Sequence, residues 1–140
     1  MRTRALVGAA LLGAICAGLA VASVDAVLRP TIPNCGRPVV APKALTLACA
    51  DANYGLVRMS WRHWGAATTT GTGSASANDC TPYCAAGHFH TYPVTATASR
   101  LRACRAGRQY TLLVLRYPGK RPAGLGRTDT WKFPCNAPGP

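Results

Sequence analysis

The chain has 140 residues, with 16 Lys and Arg against only 4 acids, and its net charge is +12. This length suits one domain. All four acids are Asp, scattered at positions 25, 51, 79 and 129, which argues against chemistry that needs two carboxylates held a few Å apart.

Met1 to Arg4 is a short cationic start, and an uncharged run rich in Ala, Leu, Val and Gly follows from Ala5 to Val24. This pattern predicts a signal-peptide helix over residues 1–26, and hence a secreted, extracellular protein. Ala20-Val21-Ala22 fits the cleavage rule, and Val24-Asp25-Ala26 is a later candidate. The run is nearly long enough to cross a bilayer. An uncleaved N-terminal anchor is therefore the alternative, and the only route to a membrane. Ile15 precedes Cys16 where a lipoprotein signal wants a small residue, so no lipid anchor is expected and Cys16 leaves with the signal. Loss of Arg2, Arg4 and Asp25, two bases and one acid, lowers the charge from +12 to +11. Residues 27–34 read as an extended linker, because Pro30 and Pro33 block a helix. Residues 35–135 form the domain, and residues 136–140 a frayed tail.

The domain reads as strands. Lys43 to Ala50 places Leu45, Leu47 and Cys49 on one face. Leu56 to Arg62 places Val57, Met59 and Trp61 on one face and Arg58, Ser60 and Arg62 on the other. Asp51 to Gly55 between them is turn chemistry, which predicts a hairpin. Ala66 to Ala77 has no large apolar residue and reads as an edge strand, with Gly71 and Gly73 marking a bulge or a close backbone approach. Tyr92 to Ala98 alternates, Arg100 to Arg108 is a basic turn, and Gln109 to Tyr117 is the central-strand candidate. Arg127 to Phe133 is the last strand. The fold class is all-β, a small antiparallel sandwich or barrel stapled by about three disulfides.

The stretch from Asn78 to Val94 is the richest in chemistry. It holds Asp79, Cys80, Pro82, Cys84, His88, His90 and Tyr92. If extended, its second half places His88, His90 and Tyr92 on one face. Cys80, Cys84, His88 and His90 are residue types suited to tetrahedral zinc, but exported cysteines usually oxidise. A disulfide-clipped turn is therefore preferred, and no metal or cofactor is expected. Six cysteines remain after the signal, and an even number in an exported domain reads as three disulfides. Local pairing gives Cys35–Cys49, Cys80–Cys84 and Cys104–Cys135.

The motifs C-A-D-x-N (Cys49 to Asn53), W-x-x-W-G (Trp61 to Gly65), N-D-C-x-P-x-C-A-x-G-x-F-H-x-Y-P-V (Asn78 to Val94), R-P-A-G (Arg121 to Gly124) and F-P-C (Phe133 to Cys135) stand in this order. The chain thereby resembles a group of small secreted actinobacterial proteins. The resemblance implies export and an all-β disulfide domain, and it implies no activity.

Function reads most directly as a non-enzymatic binding or structural domain at the cell envelope or outside the cell. Its ligand-binding candidates are His88, His90, Asp79, Trp64 and Tyr92. Arg100, Arg102, Arg105 and Arg108 form a candidate polyanion site for an anionic envelope polymer. No nucleic-acid motif is present, so sequence-specific nucleic acid is not an expected partner. Two alternatives stand beside this reading. One is a small metal- or His-dependent hydrolase, with Asp79 orienting His88 or His90. The other is an inhibitor-like domain whose loop docks on an extracellular protein. No catalytic residue is assigned, and the sequence does not bear on oligomeric state.

Overall fold

A computed structural model describes residues 29–135. The signal, its cleavage sites, the anchor alternative and the tail fall on residues outside these. The described residues form eight strands and no helix: β1 (Ile32–Asn34), β2 (Arg37–Val39), β3 (Leu45–Thr46), β4 (Tyr54–Arg62), β5 (Thr69–Asn78), β6 (Phe89–Cys104), β7 (Gly107–Arg116) and β8 (Thr128–Lys132). Strands β3 to β8 make one six-stranded antiparallel meander in chain order, and β1 and β2 pair separately as a hairpin.

The meander is curled. Tyr54 on β4 and Asp129 on β8 lie four strands apart, roughly 19 Å in a flat sheet. Yet the Tyr54 hydroxyl donates to Asp129 Oδ2 at 3.0 Å, and the Tyr54 ring lies 5.8 Å from that of Trp131. The all-β, antiparallel, disulfide-stapled architecture is thus present as a half-barrel. Of sandwich and barrel, the barrel is the nearer description. Side chains, not backbone bonds, span its open side.

Two left-handed arginines shape the curl. At Arg58 (φ 53°) the β4–β5 register slips between Val57 and Ser60, so three steps on β4 match two on β5. The buried set shifts from Leu56 to Met59, and Val57 does not join Met59 in the core as alternation alone predicts. Arg100 (φ 54°) likewise shifts which residues of β6 face inward, although the β6–β7 register runs on without a slip. Ala98 and Leu113 are buried before it, and the half-buried Leu101 and buried Tyr110 pack into the core after it. The Thr111 hydroxyl donates to the Arg100 carbonyl at 2.8 Å.

Strand β5 corrects the edge-strand expectation: it lies inside the sheet between β4 and β6. Its small residues are what interior placement requires here. A Cβ on Gly71 would lie 2.7 Å from Trp61 Cε3, and one on Gly73 would lie 2.9 Å from the Arg58 carbonyl at the bulge. The linker reading is also corrected for the residues described. Ile32 is fully buried, and Thr31 pairs with β7 through Thr31 N–H to Arg108 O and Tyr110 N–H to Thr31 O, both 2.9 Å.

Three disulfides are present with the local pairing: Cys35–Cys49, Cys80–Cys84 and Cys104–Cys135. The core mixes small and large side chains, with Ala75, Ala96 and Ala98 beside Leu45, Leu56, Leu113 and Leu115. Against this core the half-buried Tyr54 hydrogen-bonds Asp129 and the buried Tyr117, and Trp131 Nε1 donates to Asp129 Oδ2 at 2.7 Å. Burial, then Tyr117 and Asp129, push the Tyr54 hydroxyl well above its ordinary pKa. Burial likewise raises that of Tyr117.

Candidate functional site

The loop between β5 and β6 is organised by Asn78 and Asp79. Asn78 Nδ2 donates to Asn53 Oδ1 at 2.9 Å and to Cys84 O at 2.8 Å, while its Oδ1 accepts from Cys80 N at 3.0 Å. Asp79 Oδ1 accepts the backbone N–H of Thr81 at 3.1 Å and of His88 at 2.9 Å. Asp79 Oδ2 meets His90 Nε2 at 2.9 Å. Gly87 closes against this cage, since a Cβ there would run into Asn78 Oδ1 and come within 2.8 Å of Cys80 N. The Cys80–Cys84 disulfide completes the clip.

These contacts define what the loop can do. The His88 backbone N–H, then the His90 side chain, then the Thr81 N–H hold the Asp79 carboxyl down at about 2. Three donors occupy its oxygens, so it is a structural anion that fixes a turn rather than a poised base. His90 lies on β6 with its side chain 52% exposed, and His88 precedes the strand. Of the two histidines, only His90 meets Asp79 through its side chain; His88 does so through its backbone N–H. Tyr92 shares a face with His90 by register, but it is half-buried against the core. General-base chemistry gains no support from this geometry. The zinc alternative is overturned by its own sulfurs: Cys80 and Cys84 are bonded to each other. Among the described residues, no group of three or more His, Cys, Asp or Glu side chains could hold a metal.

Trp64 is corrected as a ligand platform. It sits edge-to-face with both Trp61, at 5.0 Å, and Tyr110, at 5.1 Å, and its Nε1 donates to Pro30 O at 2.7 Å. The ring caps the core and anchors the N-terminal segment. The large apolar side chains exposed here are aromatic: Tyr83 in the loop is 62% exposed and Phe89, the first residue of β6, is 57% exposed.

The candidate arginine patch divides. Arg100 and Arg102 on β6 line a cleft of about 600 Å³ together with Lys132 on β8, Thr111 and Phe133. Arg105 faces a different cavity, and Arg108 lines neither. Among the described residues, the single ion pair is His90–Asp79, so the cations of the cleft have no carboxylate partner. Lys132 was missed from the sequence because it lies 30 residues beyond Arg102, and only the β6–β7–β8 pairing brings them together.

The second cavity, about 550 Å³, lies between Cys35–Cys49 on one side and Cys104 on the other. Leu47, Trp131, Phe133 and Pro134 line it, with Thr46, Gln109 and Arg105 as the polar residues. The Cys104–Cys135 disulfide and Phe133 separate it from the basic cleft, since Cys104 lines the one, Cys135 the other and Phe133 both.

Fold and site together define a disulfide-stapled β half-barrel with a rigid loop, a basic cleft and an apolar cavity. Comparison with family models, curated proteins and solved structures found no match to this chain.

Proposed function

We propose that the protein is an exported, non-enzymatic binding module that engages anionic envelope polymers through the cleft of Arg100, Arg102 and Lys132. The convergence of three cations from two strands, with no carboxylate within ion-pairing distance, carries this reading. Unpaired cations in a concavity concentrate their field on an anionic guest. Three intramolecular disulfides support an oxidising, extracellular setting. Likeness to the small secreted actinobacterial proteins named above belongs to the same reading.

Heparin chromatography tests it. Retention falls steeply with salt, and Arg100→Gln, Arg102→Gln and Lys132→Gln each lower the log–log salt slope by roughly 0.7–0.9. Arg58→Gln, outside the cleft, serves as the control. Retention that salt leaves unchanged, or that Arg58→Gln weakens as much as the cleft variants do, overturns the proposal.

The exposed Tyr83 and Phe89 favour a second reading, in which the pre-shaped loop docks on an extracellular protein. Tyr83→Ser with Phe89→Ser then abolishes capture of that partner from an envelope fraction and leaves heparin retention intact.

A further inference from the structure

The apolar cavity has no part in the polyanion reading, and its chemistry is different. Its volume of about 550 Å³ falls in the range of small-molecule sites. Its walls are preformed: one disulfide ties the β1–β2 turn to the segment after β3, and another ties the end of β6 to the segment after β8. A ligand entering it therefore loses little affinity to ordering the protein. The indole N–H of Trp131 is already committed to Asp129, which leaves its ring as apolar surface. Gln109 is likewise engaged, donating from Nε2 to Pro134 O at 2.9 Å. One charge remains in the lining, Arg105, and no acid accompanies it. Arg105 stands in the two-residue turn joining β6 to β7, so its guanidinium is exposed at the edge of an apolar space.

An apolar bed with a single cation at its rim matches one ligand shape. We propose that the cavity takes the hydrocarbon chain of a single-chain anionic amphiphile, with its carboxylate or phosphate head against Arg105. The chain removes the faces of Leu47, Trp131 and Phe133 from water. The head finds in Arg105 a donor fork suited to two oxygens at once. This inference does not depend on the basic cleft.

Calorimetry and tryptophan fluorescence on the oxidised protein, with probes below their micelle concentrations, test it. Decanoate binds one to one. Butyrate, which carries the same head on a short chain, binds at least a hundredfold more weakly, since each pair of methylenes contributes roughly tenfold. Decyltrimethylammonium, the same chain with the opposite charge, binds at least tenfold more weakly. Arg105→Gln removes the preference for decanoate over the cation. Ala106→Trp, at an exposed turn position lining the cavity, lowers decanoate affinity at least tenfold without touching the core.

A parallel titration with decyl phosphate tells the two head chemistries apart, and the tighter binder identifies the source. Equal affinity for decanoate and butyrate overturns the inference. So does binding to anionic phospholipid vesicles with none to the monomeric probes. If that vesicle binding disappears in the Arg100→Gln/Arg102→Gln/Lys132→Gln variant, the cleft reading stands while the cavity inference falls.

Discussion

The two disulfide-bearing regions of this domain use the same bond for different purposes. The β5–β6 loop is ordered mostly from within, apart from the anchorage of Asn78 to Asn53. Its disulfide links residues 4 apart, and Asn78 and Asp79 supply the remaining order by hydrogen bonding to backbone within the loop. At the cavity end, Cys104–Cys135 links residues 31 apart and ties β6 to the segment beyond β8. The first bond gives a surface loop its shape, and the second holds together strands that a half-barrel leaves uncovered. The lesson is that sequence separation, more than cysteine count, tells what a disulfide does.

That comparison can be broken experimentally. Cys104→Ser with Cys135→Ser costs about 3.5–4 kcal/mol in the chain-entropy model, and thermal unfolding should register a fall in Tm of more than roughly 10 °C. Cys80→Ser with Cys84→Ser costs about 2 kcal/mol by the same relation. Equal losses in the two double variants would erase the distinction. Tyr54→Phe, in the polar cluster that links β4 to β8, removes the bonds to Tyr117 and Asp129 and lowers stability by about 1–2 kcal/mol. Urea unfolding with an unchanged slope checks it.

The pH responses separate the regions further. Tyr54 and Tyr117 resist ionisation in the fold. Their contribution is complete below about pH 10, the ordinary tyrosine value, and declines as pH rises beyond it. Alkaline melts of the parent should therefore fall more steeply than those of Tyr54→Phe. Asp79 behaves in the opposite sense. Its contribution is present above the ordinary carboxylate value near 3.9 and is lost as pH falls through about 2. Protection of the Thr81 and His88 amides should report this loss, the smallest of the effects, and Asp79→Asn should abolish the transition.

Much of this architecture was legible from residue order. Period-two alternation, turn residues at Asp51 to Gly55 and local cysteine spacing led to the strands, the β3–β4 hairpin and the staples. The failures share one physical cause, which is that alternation assumes an unbroken pleat. Arg58 and Arg100 adopt left-handed conformations that glycine usually supplies, and nothing in their identity announces it. The small residues of β5 looked like an edge because their value lies in what they admit, the Trp61 ring and the β4 bulge, rather than in what they bury. The site was legible only where its members are neighbours in sequence. Asp79, His88 and His90 were found, and their roles changed once the donors to Asp79 were placed. The basic cleft needed Lys132, and the cavity needed residues from Pro33 to Pro134, which only the pairing of distant strands assembles.

The short contact between Thr31 and β7 has a further consequence. Strand β8 covers β7 only from Leu112 to Arg116, and the main-chain groups of Arg108 and Tyr110 are satisfied by Thr31 instead. A variant shortened to begin at Pro33 would uncover that ledge of unpaired amides and carbonyls. A ledge of this kind recruits an extended segment from another molecule, so a trimmed form should self-associate in a concentration-dependent way while the intact chain does not.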